Sequence, residues 1–418
     1  MKRGGKRENS GRKKLGNITL KTIVTNETLI QLNKYFPEDC QSKQLRNILA
    51  YAIKQKEVNV KTPTVLDMFC GCGGLSKGFI DAGYKVLAGI DIEISALKTF
   101  ELNHDGAKGL NIDLFREDAI EQIIDNIDNQ KVDVLVGGPP CQGFSLAGKR
   151  RENDDRNKLY RSMVNLAQKL KPKAIIIENV PSLATLYNGV AKDEIIKDFT
   201  ALGYNMAEPQ VLYGPDYGIP QIRKRIFFVG LLNSEQKYEY PKPILDKENY
   251  ISCEEAIGDL PSLENSIGIS PCDYPVKPLT SYQQLMRKNS KEIFNHLGTK
   301  HTPQTKHLIS LVPEGKNYKA LPDDDELAKE FKSKKRYNES LTRYHSKKPS
   351  RTIDTGHRTH FHYKENRIPS VRENARFQSF PDDFIVLGNK QQQYRQVGNA
   401  VPPLMGYHLG KKLKEYLK

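Results

Sequence analysis

A cysteine preceded by two prolines is the feature of this sequence that most directly suggests chemistry. Cys141 lies in "GGPPCQGFS" (137–145), directly after the apolar run "VDVLV". Proline fixes the backbone torsion φ and has no N–H, so Pro139 and Pro140 restrict the chain that leads to the thiol. A thiolate held in one place can act as a nucleophile in covalent catalysis. A cysteine without such surroundings is more often a small buried hydrophobic residue. The residues around Cys141 therefore determine whether it is interpreted as a nucleophile.

A glycine-rich segment, "DMFCGCGGLSKGF" (67–79), follows the apolar run "TVLDMF" and precedes a helical pattern. Glycines in a turn between a strand and a helix let a ligand approach the backbone. Asp91 ends the next apolar run, 20 residues after Gly71. An acid at that distance typically binds ribose hydroxyls. The pattern predicts a nucleotide-like cofactor, although such turns also simply pack a helix onto a sheet.

The glycine turn reads F-x-G-x-G-G from Phe69, which differs from the G-x-G-x-x-G of a dinucleotide site. It resembles the S-adenosylmethionine loop of the DNA cytosine-5 methyltransferases, and "PPCQGFS" resembles the nucleophile motif of that family. Further motifs follow in the family's order: "ENV" (178–180), "QIRKR" (221–225), "RTID" (351–354), "ENARFQSFPDDF" (373–384) and "QVGNAVPP" (396–403). The resemblance therefore covers residues 64 to 418.

The resemblance implies catalytic roles for four residues. Cys141 is expected to add to C6 of a flipped cytosine and so make C5 nucleophilic. Glu178 is expected to donate a proton to N3, and Arg225 to lie near O2, where negative charge develops. Arg223 alternates with Arg225, so both side chains are expected to face one way, and either could be a structural clamp.

The resemblance also implies two sets of binding residues. Those expected to bind S-adenosylmethionine are Phe69, Gly71, Gly73, Gly74, Leu75, Asp91, Ile92, Asp113, Pro139, Asn399 and Val401. Those expected to contact DNA are Gln142, Ser145 and Arg351. Glu178 could instead cap the loop after its strand, Asp113 could be an ordinary loop acid, and "GNAVPP" could be a simple turn. No metal is expected, because "CGC" is not followed by a second pair of ligands.

Apolar strands separated by helical stretches predict a Rossmann-like α/β fold with a mostly parallel sheet. The predicted strands are "TVLDMF", "KVLAGID", "VDVLVGG", "AIIIEN" and "RIFFVGL". Ligands bind at the carboxyl ends of such strands, where the motifs occur. Residues 61–231 are expected to form the catalytic and cofactor-binding domain, completed by 351–418.

Residues 232–350 lack this alternation of strands and helices and are rich in proline. They are expected to form a smaller, irregular target recognition lobe. This segment carries 19 Lys or Arg and 17 Asp or Glu, so it is almost neutral. Its basic charge is local, in 332–351, where Lys, Arg and Tyr interleave as on a surface that follows a nucleic-acid backbone. A solvated run of charges is the alternative.

The charge of the whole chain favours a polyanionic partner. The 418 residues carry a formal net charge of +15, and Lys and Arg that neutralise phosphates release condensed counterions. No apolar run approaches the roughly 18 residues of a membrane span. The six cysteines are scattered, which favours reduced thiols. We therefore expect a bacterial cytoplasmic protein, associated with the nucleoid through DNA.

Residues 1–60 form a separate basic extension, with 13 Lys or Arg against 5 Asp or Glu. A strand pattern in "NITLKTIVT" (17–25) is followed by helical patterns in 26–36 and 42–55. This order resembles the ribbon-helix-helix repressors, in which two chains insert a paired ribbon into the major groove. The resemblance implies that Thr19 and Lys21 contact DNA and that the extension dimerises. A basic tail with a helical pair packed on the main domain is the alternative.

Together these patterns predict a monomeric catalytic domain that methylates C5 of cytosine at a specific site in duplex DNA. We expect the modification enzyme of a restriction-modification system, paired with a restriction endonuclease that acts on the same site. Two alternatives stay open. One is a transfer-RNA cytosine-5 methyltransferase on the same scaffold, and the other is a DNA-binding regulator whose N-terminal extension represses its own gene.

Overall fold

The computed structural model describes residues 62–140, 155–334, 340–353, 355 and 359–417, without the side chains of 155–158, 187 and 188. The predictions for five site residues fall outside these ranges; these residues are Thr19, Lys21, Cys141, Gln142 and Ser145. The N-terminal extension also lies outside them.

The strands of the central sheet are β1 Thr64–Met68, β2 Lys85–Asp91, β3 Lys108–Asn111, β4 Val134–Gly137, β5 Ala174–Asn179, β6 Tyr204–Met206, β7 Gln210–Tyr213 and β8 Lys224–Leu232. Across the described ranges their order is β3-β2-β1-β4-β5-β8-β6, and β7 also pairs with β8. Strands β1 to β5 are parallel, whereas β8 runs antiparallel to β5, β6 and β7. The prediction of a mostly parallel sheet is confirmed.

The helices are α1 Gly74–Asp81, α2 Ile94–Asn103, α3 Ala119–Asn126, α4 Asp155–Leu170, α5 Val190–Ala201, α6 Cys253–Ile257, α7 Ser281–Met286, α8 Pro303–Leu311, α9 Glu326–Ser333, α10 Val371–Phe377, α11 Lys390–Asn399 and α12 Pro403–Leu413. Successive residues of one strand enter different apolar clusters. Leu66 and Met68 join one cluster, while Val65 joins another. Because side chains alternate across a strand, both faces of the sheet are covered, which explains why the strands read as continuous apolar runs.

The chain changes direction in the sheet next to β1. From β1 it runs through β2 to β3 at one edge, and from β4 it runs through β5 towards the other edge. Met68 and Gly137, the last residues of β1 and β4, are paired in register. A crevice outside the carboxyl ends of two such strands is the usual ligand site of an open α/β sheet. The glycine-rich turn and the Pro-Pro segment both leave the sheet at this point.

The C-terminal helix packs tightly against the first helix. A Cβ atom added to Gly78 of α1 would lie 2.2 Å from the carbonyl oxygen of Pro403, and one added to Gly406 would lie 2.7 Å from that of Leu75. The Tyr84 hydroxyl donates to the carbonyl of Gly410 at 2.8 Å. The C-terminal segment therefore completes the first α/β unit, as the family resemblance implies.

The segment after β8 contains short helices and its own apolar core. Leu308, Ile309 and Val312 of this core pack with Phe361 and Ile368, which follow the expected lobe boundary at residue 350. Two short parallel strands, β9 Thr342–Arg343 and β10 His360–Phe361, connect these parts. In the described part of the chain, no helix has the length and apolarity needed to cross a membrane.

Candidate active site

Asp91, at the end of β2, holds the glycine-rich turn in place. Its Oδ2 accepts a hydrogen bond from the Gly71 amide at 2.8 Å, and its Oδ1 accepts one from the Glu93 amide at 2.9 Å. Phe69 and Gly71 have positive φ angles of 59° and 53°, so the turn bends sharply just after β1. A carboxylate offers about four acceptor positions, so Asp91 retains capacity for two hydroxyl donors.

An exposed apolar side chain stands directly beside this carboxylate. Ile92 is 66% exposed, and the Asn111 side chain fixes its loop by donating to the carbonyls of Asp91 and Ile92 at 3.2 and 2.9 Å. Asp113 follows two residues later, and its Oδ1 accepts from the Phe115 amide at 3.0 Å. Asp113 therefore stabilises its own turn while lying beside the end of β2. Sequence reasoning missed Asn111, whose role depends on the pairing of β2 with β3.

Three of the residues expected to bind cofactor serve the packing of α1. A Cβ atom on Gly73 would lie 2.2 Å from the His104 ring, and one on Gly74 would lie 2.2 Å from the Val401 carbonyl oxygen. The Leu75 side chain is buried in the core. These residues shape the turn, and none of them presents a side chain to a ligand. The same contacts bring Val401 against the turn, as the resemblance implies.

A buried acid that sequence reasoning missed lies beneath this turn. Asp67, on β1, accepts a hydrogen bond from the Ser76 hydroxyl at 2.6 Å. Burial raises its pKa to about 7, and the nearby carboxylates of Asp91 and Glu178 also raise it. An aspartate inside the apolar run "TVLDM" is the signal that could have identified it.

Glu178 and Arg225 form an ion pair at the carboxyl edge of the sheet. The Arg225 Nε lies 2.6 Å from the Glu178 Oε1, and the two side chains are 15% and 12% exposed. Burial raises the pKa of Glu178, although Arg225 and Arg223 oppose this rise. The site therefore favours a carboxyl that retains its proton more readily than a glutamate in water.

This pair lies beside the backbone that leads to Cys141. A Cβ atom on Gly138 would lie 2.9 Å from the Glu178 Oε2. The next residue after the glutamate, Asn179, donates from its side chain to the Pro139 carbonyl at 2.8 Å. The structure thus brings Glu178, Arg225 and the start of the Pro-Pro segment together, two to three residues before the cysteine.

Arg223 takes a different place from Arg225. It is 1% exposed, and its Nη2 donates to the carbonyls of Ala400 and Asn399 at 2.9 and 3.4 Å. Burial lowers its pKa to about 9. Its buried Nε finds no hydrogen-bond partner among the described residues. Arg223 is therefore a positioning residue that ties β8 to the end of α11, and Arg225 is the arginine that faces Glu178.

The crevice outside β1 and β4 combines two functions on one edge of the sheet. One side offers a turn, an acid and an exposed apolar residue suited to a nucleoside, and the other offers a partly buried acid paired with an arginine. The fold and this crevice are those of a Rossmann-like enzyme with a nucleoside-type cofactor, and they agree with the resemblance to methyltransferases.

Comparison with known proteins narrows the class further. Residues 63–415 match the model of the C-5 cytosine-specific DNA methylase family. The type II methyltransferase M.DdeI of Desulfomicrobium norvegicum is 34% identical over 374 residues, covering 85% of this chain and 89% of that protein. The type II methyltransferase M1.HphI of Haemophilus parahaemolyticus is 35% identical over 368 residues, covering 86% and 89%. The chain belongs to the C-5 cytosine-specific DNA methylase family and is a DNA (cytosine-5-)-methyltransferase.

Solved structures agree on the fold. A prophage-encoded DNA modification methyltransferase of E. coli superposes with a TM-score of 0.69 at 24% identity, covering 85% of this chain and 99% of that one. The Dnmt2 methyltransferase of S. pombe superposes with a TM-score of 0.52 at 17% identity, with the same coverage. The fold is that of the S-adenosylmethionine-dependent methyltransferases.

Proposed function

We propose that this enzyme transfers a methyl group from S-adenosylmethionine to C5 of cytosine at a specific site in duplex DNA, through covalent addition of Cys141 to C6. One observation carries the proposal: the partly buried Glu178–Arg225 pair lies against the Gly138–Pro139 backbone that leads to the cysteine.

The proposed roles follow from the charge that develops on the base. The Cys141 thiolate forms a bond to C6, and the electron pair of the C5–C6 double bond moves into the ring. Glu178 donates its proton to N3, and Arg225 stabilises negative charge at O2. C5 then takes up the methyl group, whose bond to the sulfonium sulfur breaks and leaves S-adenosylhomocysteine. Loss of the C5 proton to water, return of the N3 proton to Glu178 and cleavage of the S–C6 bond restore the aromatic ring and the thiolate.

The residues at the glycine turn fit S-adenosylmethionine, which when bound supplies the methyl group. Asp91 retains acceptor capacity for the ribose hydroxyls, and Ile92 presents an apolar surface suited to a flat base. The open space around Gly71 leaves its backbone accessible. Asp113, two residues after the Asn111 that donates to the Ile92 carbonyl, is proposed to contact the adenine.

The relatives suggest a biological setting. Several are named type II methyltransferases, and their similarity extends over most of each chain. We infer that this enzyme modifies the site of a cognate restriction endonuclease and so protects the host DNA from it.

A duplex that contains 5-fluorocytosine tests the covalent step, because fluorine at C5 prevents release of the thiolate after methyl transfer. The wild-type chain, incubated with S-adenosylmethionine, is expected to form a denaturation-resistant adduct that peptide mapping places at Cys141. Cys141→Ala should form no adduct and transfer methyl groups at less than about 1% of the wild-type rate, since loss of a covalent step costs several kcal/mol. Its affinity for S-adenosylmethionine should be unchanged.

Two results would contradict the proposal. A rate of methyl transfer by Cys141→Ala well above 1% of the wild-type rate would show that Cys141 is not the nucleophile. An adduct that forms on RNA containing 5-fluorocytosine, with none on the duplex DNA, would favour the transfer-RNA alternative.

A further inference from the structure

A basic cavity lies in the small lobe, apart from the crevice between β1 and β4. Its volume is about 310 Å³, and it is lined by Gly315, Lys316, Asn317, Lys319, Ala320, Thr342 and Arg351. Three of these residues are cationic and none is acidic, so the cavity suits an anion.

The cavity wall is held by backbone hydrogen bonds to β9. The Gly315 amide donates to the Arg343 carbonyl at 3.1 Å, and the Arg343 amide donates to the Lys316 carbonyl at 2.9 Å. Gly315 has a φ of 74°, a conformation that strains other residues. The Asn317 side chain accepts from the Lys319 amide at 3.1 Å and so fixes the turn between the two lysines. The lysines therefore extend from a backbone of fixed shape.

The charge of the two lysines is not neutralised by neighbouring acids. Lys316 and Lys319 are exposed, and neither has a carboxylate within 4.0 Å among the residues that the structure places. Glu314, the nearest acid in sequence, lies 3.6 Å from the His345 Nδ1 and accepts a hydrogen bond from the Ser346 amide. Arg351 also lines the cavity and adds a third cation.

The cavity lies next to the segment that carries the catalytic arginine. Ser350 pairs with Gln221, the Ser350 amide donates to the Pro220 carbonyl at 3.0 Å, and the Ile222 amide donates to the Ser350 carbonyl at 2.8 Å. Arg351 follows Ser350 directly, and Arg225 follows Ile222 by three residues, about 10 Å of extended chain. A nucleic acid with its target base beside Arg225 would thus pass the cavity within a few nucleotides.

We propose that this cavity binds a backbone phosphodiester of the DNA substrate through Lys316, Lys319 and Arg351. The inference rests on the proposed function and adds to it an anchor that sets where the duplex lies relative to Glu178 and Arg225. Ammonium and guanidinium groups form charge-assisted hydrogen bonds to phosphate oxygens. Such contacts position a protein on DNA without reading its sequence.

The test compares variants of the full chain in the salt dependence of binding to two short duplexes, one methylated by the enzyme and one of unrelated sequence. Lys316→Ala/Lys319→Ala should reduce the log–log salt slope by about 1 unit, because each phosphate contact contributes about 0.9. Binding to both duplexes should weaken by a similar factor. Lys316→Arg/Lys319→Arg, which keeps the charge, should retain the wild-type slope.

The matched control is Lys277→Ala/Lys291→Ala, which removes two exposed lysines of the same lobe outside the cavity. The inference is overturned if the cavity variant and this control have the same slope, or if the cavity variant weakens binding to the methylated duplex alone. These outcomes are distinct from failure of the proposed function, which would appear as absence of duplex methylation by the wild-type chain.

Discussion

Ile92 is the residue whose exposure most clearly suits contact with a cofactor. It is an isoleucine that is 66% exposed, beside a carboxylate whose geometry is already fixed. Ile94, two residues later, is 56% exposed and starts α2. Ile94 is not among the residues proposed to bind the cofactor, so the two positions form a natural pair.

Ile92→Ala should weaken S-adenosylmethionine binding by roughly 5- to 30-fold, since the substitution removes apolar contact worth about 1–2 kcal/mol. The melting temperature should hardly change, because substitution of an exposed residue rarely alters stability by more than about 0.5 kcal/mol. Ile94→Ala should leave both quantities unchanged. Calorimetric titration and thermal unfolding measure them. Equal affinities of the two variants for S-adenosylmethionine would show that Ile92 does not contact the cofactor.

The sequence predicted the role of an individual residue only where that residue belongs to a motif of the family. Glu178 and Arg225 were assigned through the family resemblance, and the structure brings them together. The alternation of Arg223 and Arg225 could not separate their roles, because the partner of Arg223 is the end of α11, far away in sequence. Asn179 and Asn111 were missed for the same reason. Their amide groups donate to carbonyls in the segments that follow other strands.

The contact between α1 and α12 closes the catalytic domain and depends on glycine. A Cβ atom on Gly78 would meet the backbone of Pro403 at 2.2 Å, whereas one on Gly410 would meet the side chains of Ala82 and Phe79 at about 3.2 Å. Backbone atoms at a helix start cannot move aside as readily as side chains.

Gly78→Ala should therefore lower the free energy of unfolding by about 1–3 kcal/mol, despite a gain in helix propensity of up to about 1 kcal/mol. Gly410→Ala should hardly change the free energy of unfolding, since the gain in helix propensity offsets the cost of a milder contact. Urea unfolding of both variants checks the order. A Gly78→Ala protein at least as stable as Gly410→Ala would show that the helices can separate without cost.

The strands that could be predicted from the sequence are those that are buried on both faces of the sheet. All five predicted strands are present because each is covered on both faces and so reads as an apolar run. Strand β3 was missed because "KGLN" offers only Leu110 to the core, and β6 and β7 are too short to show a period. The small core around Leu308 could not be predicted, since it joins residues from both sides of the expected boundary.

Across the whole molecule, the family match begins at residue 63 and leaves the basic extension outside it. We propose that the extension binds DNA, and a ribbon-helix-helix arrangement would also allow it to regulate transcription. A chain that starts at Val58 should methylate the same sequence, since every catalytic motif lies at Asp67 or later.

The same truncation should flatten the salt dependence of DNA binding by about 3 to 4 units of log–log slope, if half of the eight excess positive charges meet phosphates. Full-length and truncated chains are compared on one short duplex over a range of salt concentrations. Identical slopes would show that the extension makes no contribution to DNA binding. A change in the methylated sequence would place part of the target recognition in it.

We propose that this chain methylates cytosine C5 in duplex DNA at one specific sequence. Bisulfite sequencing of host DNA after expression of the wild-type chain, with Cys141→Ala as the control, measures this activity in the cell. We predict bisulfite-resistant cytosines at a fixed position of one recurring short sequence in the wild-type culture, and background levels in the control. Resistant cytosines at the same level in both cultures, or none above background in the wild-type culture, would contradict this proposal.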